Sequence, residues 1–313
     1  MSHKIAVIGA GSWGTTLAML LAEKESEIRL WVYEKELVEI IKKERENTVY
    51  LPGYKLPDNI NPTNSLREAI EASDIILSVV PSHVVREVFT SIKEFMPDVP
   101  VISATKGITT DTLQTVSQVL EDVLSSTTIH RRFAAISGPS FAEEVAKKHP
   151  TAITIASYNE VLAKELQGLF FRAYFRVYTN LDVIGVEIGG SLKNVIAIAT
   201  GCADGLGFGH NTRAALITRG LAEIKRLGMA MGAHASTFYG LSGIGDLVLT
   251  CTGELSRNRT LGYRLGQGVK LKDTFSELSG RGMVAEGVKT TKAAHELSKR
   301  YNVPMPITQE VYS

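Results

Sequence analysis

Apolar residues in the first 180 positions fall into short unbroken runs, separated by stretches where they recur every three or four residues. The runs are Lys4–Gly9, Glu27–Tyr33, Asp74–Val80, Pro100–Ala104, Phe133–Ser137 and Ala152–Ala156. Each is bounded by Gly, Pro, Ser or Asn and is apolar almost throughout, as strands buried on both faces should be. Helical periodicity fills most of the gaps, at Leu17–Glu23, Leu37–Glu46, Leu66–Ala72, Val84–Phe95, Leu113–Leu124 and Val161–Phe170. Ser65-x-x-Glu68 is a capping box that opens one of these helices, and a last short strand is expected at Phe175–Tyr178. Strands and helices alternating at this spacing predict a parallel sheet covered on both faces.

The pattern changes after Asn180. Ile184–Cys202, Thr212–Met231 and Val284–Arg300 read as long helices, and strand character shrinks to Leu247–Cys251. A first domain over residues 1–180 and a mainly α-helical second domain over residues 181–313 are therefore expected. The last residues, Pro306–Ser313, look like the first turns of a helix, so further chain is expected beyond Ser313.

Composition removes several classes of function. With 34 basic and 33 acidic side chains the net charge is +1, so no global field recruits nucleic acid or an anionic membrane. An anionic ligand would need a compact local cluster. Cys202 and Cys251 lie far apart and fit no metal spacing, which suits a reducing cytosol and a cytoplasmic protein. No stretch approaches the roughly 18 apolar residues of a membrane span, and Ile5–Ile8 is too short for a signal peptide. The seven histidines show no ligand spacing. HExxH, a Walker A sequence, a serine elbow and paired carboxylates are all absent, so no metal or nucleophilic chemistry is expected.

Gly9-Ala-Gly11-Ser-Trp-Gly14 follows directly on the first strand and opens the first helix. In such a loop the first glycine permits the tight turn and the second lets the backbone approach a pyrophosphate. The third lets helix pack close to strand, while the helix N-terminus adds free amides and positive potential. A dinucleotide-binding, Rossmann-type sheet is thus expected at the N-terminus. The ribose-sensing position falls at Tyr33-Glu34-Lys35. Glu34 would hold the ribose hydroxyls of NAD, Lys35 and a stacking Tyr33 would suit NADP, and an acid there could also simply start the next helix.

Chemistry concentrates further along. Lys106 follows the strand ending at Ala104, at the sheet edge where ligands gather. Gly138-Pro-Ser140-Phe-Ala142 occupies the same place after the next strand. Lys193 lies within an Ile-, Val- and Ala-rich helix, three residues from Gly190 on the same face, where apolar surroundings would make its pKa tunable for proton transfer. Snorkelling to the helix surface is the alternative. Ser256-Arg257-Asn258-Arg259 offers donors able to grip a phosphate. Asp246, in a glycine-rich bend, could orient Lys193 or merely cap a turn.

Taken together these segments resemble the bacterial soluble NAD(P)-dependent sn-glycerol-3-phosphate dehydrogenases over essentially the whole chain. The motifs are GAGSWGT at Gly9–Thr15, VVPSH at Val79–His83, ATKG at Ala104–Gly107, ISGPSFA at Ile136–Ala142 and LKNVIAIATG at Leu192–Gly201. Thr212–Gly220, GDLVLTCT at Gly245–Thr252, SRNR at Ser256–Arg259 and VAEG at Val284–Gly287 complete the series. The resemblance implies that Ser12, Trp13, Tyr33, Lys106, Ala142, Arg257, Val284 and Glu286 line the cofactor, NAD(P)H. It implies that Lys106, Gly138, Ser140, Lys193, Asp246, Ser256, Arg257 and Asn258 contact a small phosphorylated substrate, with Lys193 giving and taking the proton. Tyr33 stands where several relatives carry a basic or histidine side chain. A homodimer and a role in glycerophospholipid synthesis are also implied. Two alternatives remain: an enzyme of the same architecture acting on a 3-hydroxy acid or ketopantoate, and a non-catalytic dinucleotide sensor.

Overall fold

Four of the five residues of the first strand, β1 (Lys4–Ile8), are buried, so both faces of this strand meet protein. A computed structural model of the chain describes residues 3–25, 27–124, 132–280 and 286–313. The further strands are β2 (Glu27–Trp31), β3 (Glu46–Asn47), β4 (Leu51–Lys55), β5 (Ile60–Thr63), β6 (Ile75–Ser78), β7 (Val101–Ser103), β8 (Phe133–Ser137), β9 (Thr151–Ala156) and β10 (Phe175–Asn180). Eight of them form one sheet in the order β10-β9-β8-β7-β6-β1-β2-β5, and every described pairing in it is parallel. The strand order runs outward from β1 in both directions. Ile8 pairs with Trp31 on one side and Ser78 on the other, so the loop after β1 emerges where the order reverses. Open α/β sheets bind ligands at that place.

The chain gathers into two units. One holds Met1–Thr105, Ser117–Ile136 and Ser140–Leu181; the other holds Lys106–Val116, Ser137–Pro139 and Asp182–Ser313. The first is the Rossmann-type sheet with its helices, packed on Ile5, Val7, Leu17, Leu30, Leu77, Ile102 and Phe170. The second is largely helical and is built around the 23-residue helix Val183–Gly205. Asp182 starts that helix, accepting hydrogen bonds from Gly185 N, His234 N and Thr237 Oγ1. Against the expectation that no stretch approaches a membrane span, this helix is long and apolar enough for one, but 89% of its apolar window is buried within the protein. A core helix in a soluble domain has the same signature.

Helices His210–Ala230, Asp246–Thr252, Arg257–Gly266 and Gly287–Arg300 wrap it. The Arg257–Gly266 helix comes closest. A Cβ on Gly262 would lie 2.0 Å from Ile198 O, and one on Gly201 would lie 2.1 Å from Arg259 O, so the two backbones meet through bare glycines.

Several local expectations fail. Leu247–Cys251 is not a strand but most of the helix Asp246–Thr252, with Leu247, Thr250 and Cys251 buried at helical spacing and Val248 40% exposed. Five β-branched and apolar residues are too few to separate the two periods. The glycine-rich segment before Asp246 is a π-helical turn, Leu241–Gly245, that leads directly into this helix. The helix expected from Leu113 starts at Val116, because Leu113 adopts φ 59°. The hairpin β3–β4, strand β5 and the helices Arg257–Gly266 and Leu271–Gly280 carried no recognised signal. β5 is only four residues long and includes Pro62, which an edge strand tolerates. Only half of the expected capping box forms. Ser65 Oγ accepts from Glu68 N at 3.2 Å, while the Glu68 carboxylate turns to Thr63 Oγ1.

Candidate active site

In the first unit, Gly9 adopts φ +115°, where a side chain would be strained and a Cβ would lie 2.8 Å from Val79 O. At Gly14 a Cβ would lie 1.9 Å from Gly9 O, so helix α1 (Ser12–Ala22) meets the end of β1 only because this position is bare. Gly11 differs: nothing lies within 4 Å of the place its Cβ would occupy. It is the N-cap of α1 and supplies no side-chain cap. The loop therefore presents an open backbone surface at a helix N-terminus, the arrangement that suits a pyrophosphate. The indole N–H of Trp13 is buried without a hydrogen-bond partner among the described residues. A donor in that state favours a polar ligand group beside it. The residues present thus fit a dinucleotide.

In the second unit, the loops after β7 and β8 meet the long helix. Lys193 is 8% exposed and Asp246 1%. Lys193 Nζ donates to Asp246 Oδ1 at 2.6 Å and to Thr250 Oγ1 at 2.9 Å. Lys106 Nζ donates to the other carboxylate oxygen, Asp246 Oδ2, at 2.8 Å and to Gly138 O at 3.0 Å. Thr250, one turn beyond Asp246, donates in turn to Asp246 O. A Cβ on Gly190 would lie 2.4 Å from Ser137 Oγ, so the bare helix face lets this loop settle beside Lys193.

Two cations share one buried carboxylate. Burial pushes the Lys193 ammonium down to about 8, with Asp246 pulling it back up and Lys106 adding to the fall. Burial alone would raise the Asp246 carboxyl, but the two lysines outweigh it and hold Asp246 below its ordinary value. A Lys193 ammonium at about 8 could exchange its proton near neutrality, beside a carboxylate that the two lysines hold in its charged form.

Ser256, Arg257 and Asn258 take up distinct roles beside this cluster. Ser256 caps its helix, accepting from Arg259 N at 3.2 Å. Arg257 follows as the first helical residue and is exposed. Asn258 Oδ1 accepts from Gly287 N at 3.0 Å, which ties the next residue back, Glu286, to the same end of the unit. Burial raises the Glu286 carboxyl to about 7, against the pull of Arg257, Lys193 and Lys106. Arg259, by contrast, is drawn away: Arg259 and Arg213 both grip Asp204, with Nη2 to carboxylate oxygen distances of 2.8 and 2.7 Å.

Of the residues singled out by sequence, the second unit thus brings together Lys106, Gly138, Lys193, Asp246, Ser256, Arg257, Asn258 and Glu286. Gly9, Gly11, Ser12, Trp13, Gly14 and Tyr33 lie in the first unit at the carboxyl ends of β1 and β2. Ser140 and Ala142 also belong to the first unit, where Ala142 O accepts from Thr16 Oγ1 on α1. Val284 lies outside the described residues. Thr250 was missed because its segment reads as a strand. Its spacing of four from Asp246 is the signal that would have found it on a helix.

Comparison with known proteins bears on the whole chain. Residues 4–163 match the family model described as NAD-dependent glycerol-3-phosphate dehydrogenase N-terminus, and residues 182–313 match the model for its C-terminus. A glycerol-3-phosphate dehydrogenase [NAD(P)+] of Geobacter sp. (strain M21) is 56% identical over 313 residues, covering 100% of this chain and 92% of the relative. The crystal structure of a glycerol-3-phosphate dehydrogenase from Coxiella burnetii superposes with a TM-score of 0.93 at 42% identity, covering 99% of this chain and 94% of that one. A ketopantoate reductase from Ralstonia eutropha, 15% identical with a TM-score of 0.60 and covering 99% of this chain and 96% of that one, shares the fold alone.

Proposed function

The chain belongs to the NAD-dependent glycerol-3-phosphate dehydrogenase family, and on that premise we propose that it interconverts dihydroxyacetone phosphate and sn-glycerol 3-phosphate, with NAD(P)H giving the hydride in reduction and NAD(P)+ taking it in oxidation. The observation that carries this is the buried Lys193–Asp246–Lys106 cluster, with the Lys193 ammonium near pH 8. A reduced nicotinamide, when bound, supplies the hydride. Lys193 donates its proton to the substrate oxygen as that oxygen becomes an alkoxide, and in the reverse direction takes the proton back. Asp246 keeps the ammonium charged and aimed, and Lys106 adds a second positive charge toward developing negative charge.

Gly9, Gly11, Ser12, Trp13, Gly14, Tyr33 and Ala142 would hold the dinucleotide, together with Lys106, Arg257, Val284 and Glu286. Gly138, Ser140, Ser256, Arg257 and Asn258 would hold the substrate. The phosphate on Arg257 and Asn258 orients the carbonyl, so binding energy from a remote group serves the reacting carbon. Residues 1–180 would carry the cofactor and residues 181–313 the substrate. We further propose a cytoplasmic homodimer supplying glycerophospholipid synthesis; light scattering on the purified chain tests its size.

The assay is absorbance at the nicotinamide band with dihydroxyacetone phosphate. Lys193→Met keeps much of the apolar packing but removes the proton. Reduction should fall by about 10²–10⁴-fold, the usual contribution of a positioned acid or base, with dinucleotide affinity nearly unchanged. Normal turnover in this variant would refute the assignment.

A further inference from the structure

The hairpin β3–β4 has no place in the sequence pattern, yet it joins two parts of the first unit that a dinucleotide would touch. Asn47, fully buried, donates from Nδ2 to Ala10 O in the glycine-rich loop and to Thr15 Oγ1 on α1, both at 2.8 Å. Its Oδ1 accepts from Tyr50 N at 3.0 Å. Tyr50 then donates from its hydroxyl to Glu34 Oε1 at 2.7 Å. Glu34 sits just past the carboxyl end of β2, on the strand next to the glycine-rich loop.

Glu34 is the N-cap of α2 (Lys35–Glu44), but its side chain makes no cap hydrogen bond. Neither carboxylate oxygen is therefore spent on capping the helix. It is half-buried, and among the described residues no lysine or arginine is ion-paired with it, while neighbouring Lys35 is exposed. Tyr50 remains a donor at any working pH, because its hydrogen bond to Glu34 and its burial push the phenol up to about 12. One carboxylate oxygen is thereby fixed, and Oε2 remains as an acceptor.

We infer that Tyr50 is a positioning residue that holds the Glu34 carboxylate at the adenosine ribose, so that this protein selects NADH over NADPH. This rests on the dehydrogenase assignment above. A ribose with two free hydroxyls offers donors to a fixed carboxylate. A 2′-phosphate brings like charge against it, and a charge that cannot swing away cannot relieve the repulsion. Asn47 ties the same hairpin to the pyrophosphate loop, so the two contact points are held at a set separation.

Dissociation constants for NADH and NADPH, measured by calorimetry without substrate, test this directly. The unaltered protein should bind NADH at least tenfold more tightly. Tyr50→Phe should narrow that ratio by about tenfold, the size expected from one hydrogen bond to a carboxylate, and Glu34→Gln should bring it near parity. Adding Tyr50→Phe to Glu34→Gln should change the ratio no further, because Tyr50 acts through Glu34. A merely structural Tyr50 would weaken both dinucleotides equally, and that result overturns the inference. So does NADPH binding as tightly as NADH to the unaltered protein, or a Glu34→Gln ratio equal to that of the unaltered protein should Tyr50→Phe not fold. Binding of neither dinucleotide would instead bring down the dehydrogenase assignment, and this inference with it.

Discussion

Asp246→Asn removes a charge that two buried ammonium groups share, and its effect can be worked from their distances. At 2.6 Å and an effective dielectric of 20, the Lys193–Asp246 attraction is about 6 kcal/mol. Discounting half of it for relaxation still lowers the Lys193 ammonium by roughly two pH units, at 1.36 kcal/mol per unit. The Lys106 ammonium, 2.8 Å from the same carboxylate, then acts on Lys193 without compensation. At pH 7.5 a group titrating at about 8 is about three-quarters protonated, whereas one titrating two units lower is about 3% protonated.

Carbonyl reduction in Asp246→Asn should therefore fall about 20-fold from protonation alone, and further because Lys193 is no longer aimed. The sign follows from the proton required. In the unaltered enzyme, kcat/KM for reduction should fall as pH rises through about 8, and alcohol oxidation should rise through the same value. Absorbance assays from pH 6 to 10 with dihydroxyacetone phosphate measure both. In Asp246→Asn the break should move at least two units toward acid. Breaking the buried ion cluster also costs about 3–5 kcal/mol of stability, so Asp246→Asn should melt lower than the unaltered enzyme. An unshifted break near 8 in Asp246→Asn, with normal rates, would refute the coupling.

Other perturbations separate fold from function. Gly11→Val should leave the melting temperature unchanged, because that position is open, yet abolish NADH binding in a fluorescence titration; Gly14→Ala should damage the fold itself, since its Cβ would meet Gly9 O at 1.9 Å. Arg257→Ala should cost about 3 kcal/mol in kcat/KM for the phosphate ester, as a charge-assisted pair is lost, and leave the poor reaction of unphosphorylated dihydroxyacetone unchanged in steady-state assays. Gly262→Ala, forcing a methyl to 2.0 Å from Ile198 O, should destabilise by about 2 kcal/mol and lower the melting temperature by several degrees in a calorimetric scan.

Legibility in the sequence followed from where each signal resides. Strands buried on both faces must be apolar along their length, so β1, β6, β7, β8 and most of β9 show in the pattern of residues alone. A backbone that must turn tightly and admit a neighbour needs glycine, so Gly9, Gly11 and Gly14 also mark their own place. Lys193 stood out because a lysine among Ile, Val and Ala conflicts with its surroundings, and conflicts of this kind gather at functional sites. What those residues do to one another was not legible. Asp246 lies 53 positions from Lys193 and 140 from Lys106, so the shared carboxylate exists only after the chain folds. Its helix was read as a strand, because seven residues carry too little periodicity and only burial against the long helix decides the matter. Arg259 looked like part of one anion grip with Arg257 and Asn258, but Asp204 claims it, and the cap that Ser256 Oγ makes to its helix shows only in the fold. Tyr50 gave no sign at all, since a tyrosine's meaning depends on what its hydroxyl reaches. Local pattern determines which elements form and where the backbone must be bare; the partners of buried polar groups are set by tertiary packing, because those groups are satisfied across distances in sequence that no local pattern encodes.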